Sequence, residues 1–339
     1  MRKLAVTYSD LKEHHLDKIK NTAEGFRVLT GEAGFKDSHI EDKDNKLGFK
    51  VLTGEDAKAA IGECEIIFGH ASPELLASAK KLKWLHAQSA GVDFYMRQGS
   101  GLADSVILTN SAGMHGISIS EHMLAMTLML MRRLHSYVHL QKKHEWKYLG
   151  SVKSIYNSTI TVVGLGGIGG HYARRCKALG ATIRGVVRTP RDDLPEYADE
   201  IFTIDQLDKA IKNADVVALT LPETHETTNL FTKERMLNMK KGSIIINIGR
   251  GTAIDQNALI ELLESGHLGG AGLDVTNPEP LPPDSKLWDL PNVVLTPHVS
   301  GGATLALTAD MIVDRFIKYL EDYINGRPFE RVVDKKAGY

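Results

Sequence analysis

The stretch Thr159-Ile-Thr-Val-Val-Gly164-Leu-Gly166-Gly167-Ile168-Gly169-Gly-His-Tyr-Ala173 decides the fold. Its first five residues are β-branched, as a strand buried on both faces requires. The residues from Gly167 to Leu179 read as a helix. Between them stands G-x-G-x-x-G, which carries weight only in this strand-to-helix context. Gly164 allows the tight turn, Gly166 lets a pyrophosphate approach the backbone, and Gly169 lets helix pack closely on strand. The helix start then offers free N–H groups and the positive end of its dipole. The turn therefore points to a dinucleotide held through its phosphates, with Gly167 and Ile168 beside it.

The same strand–helix alternation extends in both directions. Downstream, strands are expected at 182–187, 216–219, 243–248, 270–275 and 292–295, with helices at 233–238 and 256–264. Upstream, strands are expected at 3–8, 49–53, 65–69, 83–88 and 106–110, with a helix at 73–81. This pattern predicts an α/β protein with parallel sheets, and for the second half a doubly wound nucleotide-binding domain. Residues 117–134 are apolar on nearly every helical face, which predicts a buried helix. It serves either as a core element or, in part, as a contact with a second subunit. Residues 305–324 form an amphipathic pattern stopped by Asn325-Gly326, a helix able to pack back on the first half. Phe26-Arg-Val-Leu-Thr-Gly-Glu nearly repeats as Phe49-Lys-Val-Leu-Thr-Gly-Glu; two copies make no solenoid. The charged stretch 37–46 between them reads as a surface loop.

The chain has 339 residues, enough for about two domains at roughly 100–200 residues each. Lys and Arg number 41 against 42 Asp and Glu, which argues against a surface built for nucleic acid or anionic membrane. Two cysteines, Cys64 and Cys176, are too few for a disulfide framework or a four-thiolate zinc site. The first ten residues turn polar too soon for a signal peptide, and no run of 18 apolar residues occurs. A cytoplasmic protein is expected. His135 and His139 are four apart on an expected helix, but surface histidines beside Arg132 and Arg133 are the commoner arrangement, and no metal is expected.

The strand 182–187 ends in Arg188-Thr189-Pro-Arg191. An acid against the ribose 2′-hydroxyl usually stands at this distance from the glycines. Here a guanidinium stands there, suited to a 2′-phosphate. NADP(H) is therefore the expected cofactor. Asp192 or Asp193 could still serve the ribose, which leaves NAD(H) open.

Three polar residues follow successive later strands: Arg250, Glu279 and His298. Ligands of open parallel sheets bind at the carboxyl ends of the strands, so all three face the crevice of the glycine turn. Imidazole exchanges protons near neutral pH, a neighbouring carboxylate holds the ring, and arginine takes a carboxylate in two hydrogen bonds. Each alone has a plainer reading as a loop or capping residue. Together they fit hydride transfer to a keto acid, with His298 as acid/base.

Six motifs support a broader comparison: Ser89-Ala90-Gly91-Val-Asp93, the glycine turn, Leu221-Pro222-Glu-Thr-His-Glu-Thr227, Asn247-Ile248-Gly249-Arg250-Gly251, Gly272-Leu-Asp274-Val-Thr-Asn-Pro-Glu279-Pro280 and Leu295-Thr-Pro-His298-Val-Ser-Gly301. With them the chain resembles the D-isomer-specific 2-hydroxyacid dehydrogenases. The resemblance implies a Rossmann dinucleotide-binding domain (residues 113–302) inserted into a flavodoxin-like substrate domain (residues 1–112 and 303–339). Residues 110–113 and 300–302 would be the hinge. It implies Arg250 as anchor for the substrate carboxylate and carbonyl, Ala90 and Gly91 as backbone donors to that carboxylate, and Glu279 as partner of His298. Asp274 would contact the nicotinamide amide, while Leu221, Pro222, Thr227, Ile248, Gly249 and Gly301 would lie along the cofactor. Such enzymes are usually homodimers. The expected activity is NADP(H)-dependent reduction of 2-keto acids to D-2-hydroxy acids. The alternatives are an NAD-preferring dehydrogenase of the same kind or a dinucleotide-sensing binding protein with little turnover. A methyltransferase could share the glycine turn but has no use for the trio. No further regulatory domain is expected after Ile324.

Overall fold

A computed structural model describes residues 2–8, 11–23, 26–30, 50–51, 60–190, 193–301 and 305–335. The expected loop 37–46 lies outside the described residues, as do Arg191, Asp192 and Gly302. The chain divides into two compact units, Met1–Met114 with Ala303–Tyr339, and His115–Gly302.

The first unit holds six parallel strands: β1 (Arg2–Thr7), β2 (Phe26–Thr30), β3 (Lys50–Val51), β4 (Ile66–Gly69), β5 (Trp84–Ala87) and β6 (Ile107–Asn110). Their order is β3-β2-β1-β4-β5-β6. Without the two-residue edge strand β3, this is the flavodoxin-like order. The two near-repeats each contribute one strand, paired side by side through Leu29–Lys50 and Thr30–Val51. The helix Ala306–Ile324 belongs to this unit. Its apolar stripe, Ile312, Val313, Phe316, Tyr319 and Leu320, is buried against Leu4, Val6, Phe68 and Trp84. On its polar side Asp310 takes a hydrogen bond from His15 at 2.6 Å, tying it to the helix Glu13–Thr22.

The second unit holds seven parallel strands: β7 (Thr159–Val163), β8 (Thr182–Val187), β9 (Glu200–Thr203), β10 (Val216–Leu219), β11 (Ser243–Asn247), β12 (Leu268–Leu273) and β13 (Val293–Leu295). The order β13-β12-β11-β10-β7-β8-β9 is the Rossmann order with one strand added. The strand order reverses between β7 and β10, where such folds bind ligands. Two aliphatic clusters cover the two faces of this sheet.

The apolar stretch expected as one helix at 117–134 is interrupted. A helix runs Gly116–Met131, and a second runs Leu134–Lys142. The break falls at Arg132 and Arg133, both exposed, with Arg133 in the left-handed region at φ +55°. Two adjacent guanidiniums cannot follow the helix into an apolar core, so the chain turns there. Ile119, Met123, Met126, Leu130 and Met131 are buried, whereas Leu124 and Leu128 are half-buried and Leu134 is 48% exposed.

Inside the first unit His86 is fully buried among Phe68, Trp84, Phe316 and Tyr319. Its Nδ1 lies 2.7 Å from Thr109 Oγ1 and its Nε2 lies 3.2 Å from Ser111 Oγ. Burial, with a smaller contribution from the charge of Arg315, lowers its pKa to about 3. The ring is therefore neutral when folded and gains a proton near pH 6.5 when unfolded. The contribution is complete above pH 6.5 and is lost as pH falls toward 3, at about 1.4 kcal/mol per pH unit. Unfolding midpoints of the wild type should fall more steeply between pH 6.5 and pH 4 than those of His86→Gln; parallel curves would refute the assignment.

Candidate active site

In the second unit β7 runs directly into the glycine turn. Gly164 has φ +98°, a conformation that side chains rarely adopt. A Cβ on Gly169 would collide with the carbonyl of Gly164, so the helix Gly167–Ala178 packs against its own entering turn. A Cβ on Gly166 would meet nothing within 4 Å, and no side chain caps this helix start. The turn is thus closed at Gly164 and Gly169 and open at Gly166. Open backbone at an uncapped helix start fits a pyrophosphate. Thr220 Oγ1 donates to the Gly164 carbonyl at 2.6 Å and braces the turn from the end of β10.

Arg188 and Thr189 follow β8 immediately and are exposed. β8 lies beside β7, with Val163 paired to Val186 and Gly164 N–H donating to the Val186 carbonyl at 2.9 Å. Arg188 therefore stands next to the glycine turn, on the strand that reads a ribose in such sheets. Leu221, Pro222 and Thr227 lie in the loop after β10. Thr227 Oγ1 donates to the Pro222 carbonyl at 2.7 Å and folds this loop on itself.

The loop after β11 carries Arg250. A Cβ on Gly249 would come within 2.5 Å of the Leu221 carbonyl oxygen, and one on Gly251 would collide with the Thr276 carbonyl. Glycine at both positions lets three strand ends converge around the arginine. Asn247, 1% exposed, fixes the loop: its Nδ2 donates to the Arg250 carbonyl at 2.9 Å and its Oδ1 accepts from Gly249 N–H at 3.0 Å. Arg250 Nη1 donates to the Gly249 carbonyl at 2.8 Å. Ile248 is buried beside it.

Glu279 and His298 meet. Glu279 Oε2 lies 2.9 Å from His298 Nδ1, while Oε1 accepts from Thr276 N–H at 3.0 Å. Both side chains are partly exposed, so the pair is open to a ligand. With Nδ1 engaged, Nε2 is the ring atom left to exchange a proton. His298 has φ +53°, and its N–H donates to the Asp274 carbonyl at 2.8 Å.

Asp274, after β12, is 1% exposed. Its Oδ1 accepts from Thr296 Oγ1 at 2.5 Å and Val299 N–H at 3.0 Å, and its Oδ2 accepts from Ser300 N–H at 3.0 Å. Burial raises its pKa, but the hydrogen bonds from Ser300, Thr296 and Val299 prevail, and the net shift is downward. A Cβ on Gly301 would press on Ile119 at 3.2 Å.

Ala90 and Gly91 lie in the loop after β5, in the first unit. Asn110 Nδ2 donates to the Ala90 carbonyl at 2.8 Å, and Ser89 Oγ donates to the Gly91 carbonyl at 2.7 Å. Across a planar trans peptide the C=O and N–H point oppositely, so these bonds turn the following N–H groups the other way. Sequence reasoning missed Asn110, Thr220, Asn247 and Thr296 as fixing residues. Asn247 had a signal, a lone polar residue closing the aliphatic strand Ser-Ile-Ile-Ile-Asn. The others have none, since nothing in their own sequence neighbourhood marks the group they bond.

Among the described residues one His/Asp group, His14, His15 and Asp310, is close enough to hold a metal. His15 Nδ1 accepts Lys12 N–H at 3.1 Å, so its Nε2 carries the proton given to Asp310. That tautomer makes the group a tie between helices. His135 Nδ1 pairs with the Met129 carbonyl at 3.1 Å, and Lys142, Lys143 and Lys147 are exposed.

Residues 124–300 match the family model described as D-isomer specific 2-hydroxyacid dehydrogenase, NAD binding domain. The chain belongs to this family. An NADPH-dependent glyoxylate/hydroxypyruvate reductase from Sinorhizobium meliloti, solved with NADP and sulfate, superposes with a TM-score of 0.79 at 28% identity, covering 100% of both chains. A glyoxylate reductase from Korarchaeum cryptofilum is 30% identical over 255 residues, 73% of this chain and 75% of that one. A D-3-phosphoglycerate dehydrogenase from Synechocystis sp. is 30% identical over 315 residues, 87% of this chain but 55% of that one. The family match accounts for the Rossmann unit, and the Sinorhizobium structure, which covers the whole chain, extends the likeness to the flavodoxin-like unit.

The turn geometry separates two glycine roles. Gly169→Ala should cost about 1–3 kcal/mol of stability through overpacking, read as a lower Tm. Gly166→Ala should leave Tm unchanged and weaken dinucleotide binding. Equal Tm losses in both variants would contradict the open-turn reading.

Proposed function

We propose that this dehydrogenase reduces 2-keto acids to D-2-hydroxy acids with NADPH. The observation that carries the reading is the 2.9 Å pair of His298 Nδ1 and Glu279 Oε2, partly exposed at the same sheet edge as Arg250. Hydride addition to a ketone leaves an alkoxide that needs a proton, and an oriented imidazolium supplies it. Glu279, itself held by Thr276 N–H, keeps the ring turned so that Nε2 delivers the proton. Arg250 anchors the substrate carboxylate in two charge-assisted hydrogen bonds. In the first unit Ala90 and Gly91 are proposed as backbone N–H donors to a substrate carboxylate. Bound NADPH supplies the hydride; Gly164, Gly166 and Gly169 shape the turn for its pyrophosphate, and Asp274, Ile248 and Gly301 line its nicotinamide end. Arg188, with Thr189, holds the 2′-phosphate. The exposed position of Arg188 beside the glycine turn supports NADP(H), as does the NADPH dependence of the Sinorhizobium relative.

A panel of 2-keto acids, from glyoxylate, pyruvate and hydroxypyruvate to larger ones, should be tested with both cofactors. NADPH should exceed NADH in kcat/KM by about tenfold or more, and Arg188→Ala should remove the difference. Equal turnover with NADH would overturn the NADP assignment. Tight NADPH binding without turnover on any acid would instead mark a dinucleotide-sensing protein.

His298→Ala should lower kcat by roughly 10²-fold, and Arg250→Ala should mainly raise KM for the keto acid. Full activity of the histidine variant would reject its role. An unchanged KM in the arginine variant would move the carboxylate site elsewhere.

The enzyme is further proposed to be a cytoplasmic homodimer. No helix among the described residues is long and apolar enough to cross a membrane. Trp146, Tyr148 and Tyr156 are 105%, 81% and 68% exposed, large aromatic side chains that a second copy would cover. A monomeric mass by light scattering would overturn the dimer.

A further inference from the structure

Asp274 is buried in the second unit, and a buried carboxylate requires compensation by charge or hydrogen bonds. His122 approaches it, with its Nε2 lying 3.9 Å from Asp274 Oδ1. The same Nε2 lies 3.0 Å from Thr296 Oγ1. A carboxylate only accepts, so the Thr296 proton goes to Asp274, and the Thr296 oxygen accepts from His122. His122 therefore presents an Nε2–H, and a directed chain runs from the helix Gly116–Met131 through Thr296 to Asp274. Asp274 in turn holds the N–H groups of Val299 and Ser300 through its side chain and that of His298 through its carbonyl. These bonds flank His298, whose φ of +53° is a conformation that only surrounding structure sustains. His122 stands on a helix whose buried face is otherwise apolar at Ile119, Met123 and Met126, and its polar contacts run to Thr296 and Asp274.

We infer that His122 is a positioning residue: through Thr296 and Asp274 it holds the turn that presents His298 to the substrate. It acts on no substrate or cofactor atom. The inference rests on the reading of His298 as proton donor, and its test includes a measurement that does not.

The test uses the full chain as wild type, His122→Leu and His122→Gln. Glutamine retains an N–H able to reach Thr296; leucine does not. In His122→Leu, kcat should fall roughly tenfold, because small displacements of a reacting group are costly. NADPH Kd should stay within about twofold. The side-chain 1H–15N signal of His298, assigned by its disappearance in His298→Gln, should shift and broaden. His122→Gln should restore both the rate and the signal. Thr296→Val, which breaks the chain one step later, should reproduce the leucine result and serves if the leucine variant does not fold. An unmoved His298 signal in both breaking variants would overturn the inference. So would a glutamine variant as impaired as leucine, or a loss of NADPH affinity matching the loss of rate. If no keto acid is turned over by the wild type, the functional reading fails, and the His298 signal still decides the positioning role.

Discussion

Every neighbouring pair of strands in the seven-stranded sheet is parallel. That single constraint puts all seven carboxyl ends on one edge. The glycine turn follows β7, Arg188 follows β8, Arg250 follows β11, Asp274 follows β12 and His298 follows β13. Residues more than a hundred positions apart in the chain thereby share one rim, with no long loop needed to carry them there. The requirement then passes to the loops, which must come close without leaving backbone groups unpaired. Glycine at 249 and 251 solves the first problem by removing the Cβ atoms that would strike Leu221 and Thr276. Asn247 solves the second by pairing both the Gly249 N–H and the Arg250 carbonyl with one buried amide.

Much of this framework is legible in the amino-acid order. Thr159–Val163, Thr182–Val187, Val216–Leu219 and Gln256–Glu264 occupy the residues their patterns predict. Aliphatic runs bounded by turn residues admit few other readings. The strand Glu200–Thr203 was not legible, because only four residues of mixed polarity sit at the sheet's outer edge. The helix Glu13–Thr22 was hidden for a similar reason: it buries only His15, Leu16 and Ile19 and is otherwise polar or charged. The broken helix at Arg132 failed differently. Hydrophobic composition carried the pattern through to Leu134, while the demand for solvent by two guanidiniums ended the helix first.

The site divides along the same line. Arg250, Glu279 and His298 can be found because each follows its own strand and each has an evident chemistry. The pairing of His298 with Glu279 can be anticipated because each stands past the end of neighbouring strands, β13 and β12, and an acid suits an imidazole. His122 and Thr296 are 174 residues apart, and Asn110 reaches back 20 residues to a carbonyl. Such pairs have no spacing signature. They are set by which short polar side chain the packed sheet happens to bring against an otherwise unpaired group, so only the folded chain displays them.

The left-handed conformation of His298 shows how these supporting bonds matter energetically. A non-glycine residue in that region costs of order 1–3 kcal/mol. Hydrogen bonds to a charged group contribute roughly 1.5–3 kcal/mol each. Asp274 receives three on its carboxylate, from Thr296, Val299 and Ser300, in a site almost free of solvent. Together with the His298 N–H bonded to the Asp274 carbonyl, these bonds fix the backbone on both sides of the unusual φ. The turn is therefore held in place before any ligand arrives. In the role proposed for His298, a proton donor that must meet an alkoxide within a narrow range of distance gains from such support, because its orientation is settled by folding.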